Sequence, residues 1–138
     1  MSTENNKSLV RHMMDWWVKG DLNVIDELMS PDFVCHTASG ETVGRDAQRQ
    51  RLAAFLSMFS DRLLTIDELI GEVDKVAMRY TWEATHRGEA FGIAPTGKRV
   101  KSSTIAIYRV AVGKIAEEWE EHDTQGLFQQ LGAFSRES

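Results

Sequence analysis

The sharpest chemical signal in the sequence is an aspartate at the end of the last predicted strand. If Val112-Gly113 forms a two-residue turn, the register of the hairpin places Asp123 beside Trp119 on the buried face. An aspartate there must be paired, exposed or functional, because burial strips a carboxylate of its hydration. The alternative is a cap for the helical segment that follows, a role that Asp fills well. The residues alone leave both possibilities open.

The register predicted from that turn divides the last hairpin into two faces. The predicted buried face carries Val110, Tyr108, Ala106, Ile115, Trp119 and Asp123, with Tyr108 opposite Glu117. The opposite face carries Ile105, Ile107, Arg109, Glu118, Glu120 and His122. A β-bulge anywhere in the hairpin would shift this assignment.

Four histidines could form a metal site, but their spacing matches no ligand motif. His12 and His122 are expected at the surface. His36 and His86 fall in predicted strands among apolar and aromatic neighbours, so each is either a pocket residue or a hydrogen-bonded core histidine. Cys35 lies next to His36, yet adjacent strand residues point to opposite faces. Neither metal binding nor covalent catalysis is therefore expected.

Helices are predicted in the first half of the chain and long strands in the second. Apolar residues spaced three and four apart predict helices at 8–19, 22–29 and 45–60, and a short strand is predicted at 33–36. Alternation with period two predicts strands at 63–70, 76–87, 100–110 and 114–123, before a helical turn at 126–131. This order indicates an α+β fold.

Length and composition predict one small domain. A chain of 138 residues with 42% hydrophobic side chains can bury a core without disulfides or a structural metal. The net charge of −5 disfavours nucleic acid and anionic membranes, since both need a basic patch. A single cysteine, a polar N-terminal segment and the lack of an apolar run of about 20 residues predict a cytoplasmic location away from membranes.

Two segments of the C-terminal half carry a recognisable pattern, THRGEAFGIAPTGKRV at 85–100 and AIYRVAVGKIAEEWEEHDTQGLFQQLG at 106–132. Together with Cys35-His36 after an SPDF segment, they resemble the SnoaL-like polyketide cyclases of the nuclear-transport-factor-two-like superfamily. The resemblance covers nearly the whole chain and implies one domain over residues 1–138. The fold it implies is a cone-shaped, curved antiparallel sheet packed against three helices, with a pocket inside.

The resemblance also implies an activity: intramolecular aldol ring closure on a hydrophobic carbonyl substrate, without metal or organic cofactor. It matches Asp123 to the family's acid/base aspartate and makes His86 the best candidate for its pocket histidine. Burial against Trp119 and Trp82 is expected to raise the pKa of Asp123 and so strengthen it as a base. The expected pocket walls are His36, Trp82, Tyr80, Tyr108, Trp119 and Trp17.

Two other functions fit the same fold, because a fold alone does not determine activity. One is a non-catalytic protein that binds a small hydrophobic molecule, and the other is a hydrolase, dehydratase or isomerase. In each case the expected partner is a small hydrophobic molecule. A homodimer is also expected, because Ile105 and Ile107 fall on the sheet face away from the pocket.

Overall fold

The computed structural model, which describes residues 2–132, has the predicted order of helices first and long strands after. In chain order the elements are α1 (Thr3–Met13), α2 (Asp15–Val18), α3 (Asn23–Leu28), β1 (Met29–His36), β2 (Thr42–Gly44), α4 (Arg45–Met58), β3 (Phe59–Glu72), β4 (Lys75–His86), β5 (Arg99–Ala111), β6 (Lys114–His122) and α5 (Thr124–Leu131). The predicted α+β class is confirmed.

The strands form a curved, open six-stranded sheet in the order β2-β1-β6-β5-β4-β3. Strands β3 to β6 follow one another along the chain and pair as antiparallel neighbours, as hairpin connections require. Strand β1 pairs in parallel with β6. The sheet is therefore not antiparallel throughout, because β1 comes from a distant part of the sequence and no hairpin sets its direction.

The N-terminal helical region begins earlier than predicted, at Thr3, and is not continuous. The helix predicted at 8–19 is divided at Met14, whose backbone N–H donates to the carbonyl groups of Arg11 and His12. Helix α2 follows and buries Trp16 and Trp17. The short strand β2 was not predicted, because only three residues form it and their side chains are mostly exposed.

A β-bulge in the last hairpin overturns the predicted faces of β6. Val110 pairs with Ile115 as predicted, but the next pair joins Arg109 to Glu117, so Ala116 has no partner opposite it. Because side chains alternate along a strand, one extra residue moves every later side chain to the other face. The predicted placement of β6 beyond Ile115 is therefore wrong.

Beyond the bulge, Tyr108 lies opposite Glu118 and Thr104 lies opposite His122. Glu118 and Glu120 are buried on the inner face, whereas Trp119 is partly exposed on the outer face. The inner face of β5 is as predicted, with Ser102, Thr104, Ala106, Tyr108 and Val110 buried in alternation.

The helices cover the inner face of this sheet. Their buried side chains, among them Val10, Met13, Trp17 and Leu52, join those of the strands in a single apolar cluster. Within residues 2–132, no helix is long and apolar enough to cross a membrane.

Candidate functional site

A cavity of about 320 Å³ lies between the helices and the inner face of the sheet. Its apolar and aromatic walls come mainly from Met13, Met14, Trp16, Trp17, Leu52, Phe55, Tyr80 and Trp82. Ionisable and polar side chains are concentrated among the residues Gln48, Arg51, Ser102, Glu118, Glu120, His122 and Asp123. The cavity can therefore hold a mostly apolar molecule while presenting a few polar groups to it.

The aromatic wall is held in a fixed arrangement. The Trp17 indole N–H donates to the backbone carbonyl of Leu63 at 3.0 Å. The Trp17 and Trp82 rings meet edge to face, with centroids 5.1 Å apart. Trp17, Tyr80 and Trp82, three of the six side chains expected in the walls, line the cavity.

An ion-pair network surrounds the buried carboxylate of Glu120. Arg51 Nη2 donates to Glu120 Oε1 at 2.6 Å, and His122 Nε2 lies 3.2 Å from Glu120 Oε2. Because a carboxylate only accepts, Nε2 carries the proton, and His122 Nδ1 lies 2.8 Å from the hydroxyl of Thr104. Burial alone would raise the pKa of Glu120, but His122 and Arg51 outweigh it and lower this pKa to about 2.

Glu118, two residues earlier on the same face, has the opposite character. Its side chain is only 4% exposed, and its Oε1 has no hydrogen-bond partner among residues 2–132. Burial, together with the negative charge of Glu120, raises the pKa of Glu118 well above its ordinary value. The cavity wall therefore holds a carboxyl group with a raised pKa next to one with a lowered pKa, an arrangement typical of acid–base sites.

Cys35 lies beside these two carboxyl groups. Its Sγ and one oxygen from each of Glu118 and Glu120 lie within 4.8 Å of one another, close enough to share a metal ion. Arg51 already supplies positive charge there, because its Nη1 lies 3.8 Å from Cys35 Sγ while Nη2 binds Glu120. Burial raises the pKa of the Cys35 thiol, which disfavours the thiolate that a metal or a nucleophilic reaction needs.

Asp123 lines the cavity at its mouth and also caps a helix. The residue is exposed, and its Oδ1 accepts a hydrogen bond of 3.0 Å from the backbone N–H of Gly126 at the start of α5. The burial against Trp119 that was expected to strengthen it as a base does not exist, because the bulge turns Trp119 to the outer face. The two roles that the sequence left open for Asp123, a helix cap and a functional residue, are thus compatible.

His86 lies in the core and is not one of the described residues that line the cavity. Its Nδ1 accepts a hydrogen bond of 3.2 Å from the backbone N–H of Thr96, and its ring packs against Phe59. His86, the expected pocket histidine, therefore does not line the cavity with Asp123. The cavity histidine is His122, which the bulge brings to the inner face.

The other three residues expected in the cavity wall, His36, Trp119 and Tyr108, do not line it. Cys35 takes the inner face of β1, so its neighbour His36 points outward and stacks on Trp119 with ring centroids 5.2 Å apart. His36 Nε2 also lies 2.6 Å from Glu117 Oε2 on this outer face. Tyr108 is on the inner face but fully buried in the core, outside the described cavity lining.

The sequence analysis missed four ionisable residues of the polar wall, namely Arg51, Glu118, Glu120 and His122. One available signal was the adjacent apolar pair Ile115-Ala116, because two consecutive inward residues after a tight turn are typical of a bulge. Trp119 masked this signal, since a large aromatic residue is usually taken to mark the buried face.

Comparison with solved structures identifies the fold. AclR, a proposed hydroxylase from Streptomyces galilaeus, is 31% identical with a TM-score of 0.91, covering 99% of this chain and 87% of its own. TsrD from Streptomyces laurentii is 28% identical with a TM-score of 0.87, covering 97% and 99%. IdmH, a proposed polyketide cyclase from Streptomyces antibioticus, is 26% identical with a TM-score of 0.81, covering 91% and 96%.

The sequence comparison agrees with the structural one. No curated protein shows a significant sequence match to this chain. The SnoaL-like polyketide cyclase family, however, matches residues 7–131, which is nearly all of the chain. By sequence and by fold, this chain belongs to the SnoaL-like polyketide cyclase family.

Proposed function

We propose that this protein is a cofactor-independent enzyme that closes a ring in a hydrophobic carbonyl substrate by intramolecular aldol condensation. The observation that carries the proposal is an apolar cavity whose wall holds carboxyl groups in contrasting states. The pKa of Glu118 is raised, the pKa of Glu120 is lowered, and Asp123 stands exposed at the mouth. Carboxyl groups whose pKa values are driven apart in this way are typical of acid–base sites.

Asp123 is the proposed base. Its carboxylate takes a proton from the carbon next to a substrate carbonyl, and the resulting enolate carbon attacks a second carbonyl of the same molecule. The new carbon–carbon bond leaves an alkoxide, to which Asp123 returns the proton. The step is neutral in atoms and electrons, so it needs no oxidant or reductant.

The chemistry of this base limits the substrate. Carboxylates are weak bases in general, and Asp123 is exposed to solvent. The reacting carbon must therefore be acidified by the substrate itself, for example by lying between two carbonyl groups. His122 is the pocket histidine of this proposal in place of His86, and the aromatic walls hold the rings of the substrate.

The main alternative is a non-catalytic protein that binds a hydrophobic ligand in the same cavity. Such a protein would not need an ionisable residue at Asp123. The buried Glu118 favours an enzyme or a selective site over simple apolar storage, because burying a carboxyl group with one oxygen, Oε1, left without a hydrogen bond opposes folding.

Proton abstraction can be tested without knowing the natural substrate. We would follow exchange of the activated C1 protons of 2-tetralone in D₂O by NMR. The wild type should accelerate the exchange, and Asp123→Asn should lose at least about 100-fold of this acceleration, the usual scale for general acid–base catalysis. Its stability should change by at most about 1 kcal/mol, since Asn caps helices nearly as well as Asp.

The matched control is Glu121→Gln, which removes an exposed carboxylate from the outer face of β6, two residues before Asp123. It should exchange 2-tetralone at the wild-type rate. Equal rates in the wild type and Asp123→Asn would exclude Asp123 as the base and favour the ligand-binding alternative.

We also propose that the protein forms a homodimer through the outer face of the sheet. Ile105 is 53% exposed and Ile107 is 40% exposed on this face, next to the partly exposed Trp119. Covering these apolar side chains would stabilise a pair of chains. Light scattering should show a dimer for the wild type and a monomer for Ile107→Glu, and a monomeric wild type at micromolar concentration would contradict the proposal.

A further inference from the structure

Ser102 brings a hydroxyl group to the inner face of β5. Its side chain is 6% exposed and lines the cavity, and Trp82, opposite it on β4, lines the cavity as well. The next inward residue of the strand, Thr104, has its hydroxyl oxygen 2.8 Å from His122 Nδ1. The hydroxyl group of Thr104 is therefore already engaged within the protein, which leaves that of Ser102 to be accounted for.

The Ser102 hydroxyl group has no hydrogen-bond partner among residues 2–132. The polar side-chain atoms in this range that are fully buried without a partner belong to Asn6, Arg45, His86 and Glu118. Because Ser102 Oγ is not one of them, it retains accessible surface, and the cavity is the space that this residue lines. A hydroxyl group can rotate to donate, so Ser102 offers a free donor to a ligand.

Ser102 lies beside the proposed base. The backbone N–H of Asp123 donates to the carbonyl oxygen of Ser103 at 3.2 Å, which extends the pairing of β5 with β6 by one more pair. Ser102 directly precedes Ser103, and both Ser102 and Asp123 line the cavity. Paired residues of antiparallel strands have Cα atoms about 5 Å apart, so these two side chains reach the same part of the cavity.

Proton removal next to a carbonyl group creates a need for a donor at the oxygen. When Asp123 takes the proton, the electron pair of the broken C–H bond moves into the carbonyl group and leaves negative charge on its oxygen. A donor that already points at this oxygen stabilises the charge as it develops. The oxygen and the reacting carbon are bonded to the same carbon atom, so base and donor must be near neighbours, as Asp123 and Ser102 are.

We propose that Ser102 is a catalytic residue whose hydroxyl group donates a hydrogen bond to the carbonyl oxygen of the substrate, and then to the enolate oxygen formed from it. This inference rests on the proposed function and adds the group that holds the oxygen while Asp123 moves the proton. Ser102 keeps its own proton, so the step needs no further reactant. The substrate must therefore enter with the oxygen of its reactive ketone directed toward β5.

The chain offers a matched pair of serines for the test. Ser103 is exposed on the outer face of β5, so Ser103→Ala removes an equivalent hydroxyl group away from the cavity. Ser102→Ala should lower the exchange rate at saturating 2-tetralone by roughly 10- to 100-fold, the scale of one hydrogen bond to a charged oxygen. Ser103→Ala should exchange at the wild-type rate. An unchanged rate in Ser102→Ala would overturn the inference.

Binding measures the same hydrogen bond without any proton transfer. The probes 2-tetralone and 2-methylenetetralin have nearly the same shape, but a methylene group replaces the carbonyl oxygen in the second. In calorimetric titrations, the affinity ratio should favour the ketone by roughly two- to tenfold more in the wild type than in Ser102→Ala, the scale of one neutral hydrogen bond. Ser103→Ala should keep the wild-type ratio. Equal ratios in the wild type and Ser102→Ala, or binding of neither probe, would contradict the proposal.

Stability separates this role from a structural one. Because the hydroxyl group has no partner among the described residues, Ser102→Ala should melt at the wild-type temperature or above it. A clearly lower melting temperature would mean that the hydroxyl group stabilises the fold, and would overturn the inference. The outcome for Asp123 is separate: if Asp123→Asn exchanges tetralone at the wild-type rate while Ser102→Ala loses the preference for the ketone, the aldol proposal fails and the Ser102 site remains.

Discussion

Replacing Glu118 with Gln should make the protein more stable, by an amount that grows with pH. The variant keeps the shape of the side chain and removes its titrating group. In the unfolded chain Glu118 ionises around its ordinary pKa of 4.5, whereas burial and the charge of Glu120 keep it protonated in the folded protein. Above pH 4.5 the contribution of Glu118 to the free energy of unfolding therefore falls as the pH rises, because this carboxyl group releases its proton in the unfolded chain and not in the folded protein.

The magnitude follows from proton linkage. Each pH unit between the unfolded and folded pKa of Glu118 costs the wild type about 1.4 kcal/mol relative to the variant. Between about pH 5.5 and 7.5 the difference in unfolding free energy should thus grow by about 2.7 kcal/mol, for as long as Glu118 stays protonated. The other titrating groups are common to both proteins, so their contributions largely cancel in this difference.

Urea unfolding followed by circular dichroism at several pH values measures the difference directly. Glu121→Gln is the control, because it removes a carboxylate from the exposed face of the same strand. Its stability relative to the wild type should stay nearly constant over the same pH range. A constant difference for Glu118→Gln as well would mean that Glu118 is ionised in the folded protein, and would refute the reasoning.

Three other predictions concern the same framework. Glu120, with its pKa lowered to about 2, stabilises the folded protein above about pH 4.5, and this stabilisation is lost as the pH falls toward 2. In acid titrations followed by circular dichroism, Glu120→Gln should lack this pH-dependent part of the stability. Gly88→Ala should lower the melting temperature strongly, because the new Cβ would lie 2.1 Å from the Ser57 carbonyl oxygen. In the control Gly44→Ala, the new Cβ would lie at an ordinary contact distance of 3.9 Å from the Phe33 carbonyl oxygen. Similar melting temperatures for the two variants would contradict this prediction. Elemental analysis should find no stoichiometric zinc, iron or manganese after dialysis, because Arg51 supplies the cation beside Cys35 and Glu120, and a retained metal would disprove this.

Most of the fold follows from local patterns in the sequence, but the polar wall does not. The strand holding Tyr80 and Trp82 could be assigned because its alternation is unbroken, and the inner face of β5 for the same reason. Hairpin pairing from the turn at Val112 was also correct for its first two pairs. The error began at Ala116, because a bulge depends on how the whole sheet twists and not on any one residue type.

The histidines illustrate a second limit of prediction from the sequence. His36 and His86 were chosen for their apolar neighbours, yet one stacks on an outer tryptophan and the other fills the core. His122 was expected at the surface because the predicted register placed it on the face opposite Asp123. Its role depends on contacts with Thr104 and Glu120, which come from pairing between strands and from the altered register. Three-dimensional partners, not sequence neighbours, decide such placements.

The unpaired Ala116 makes the chemical character of the cavity depend on one β-bulge. If Ala116 paired with Arg109, plain alternation from the turn onward would present Glu117, Trp119 and Glu121 inward. The carboxyl groups of Glu118 and Glu120 would then pass to solvent together with His122. Deleting Ala116 would instead remove the bulge and leave Glu117 opposite Arg109, so the polar lining would keep its inward face. The local pairing of one small apolar residue, which touches no ligand group itself, thus decides which chemical groups the cavity presents.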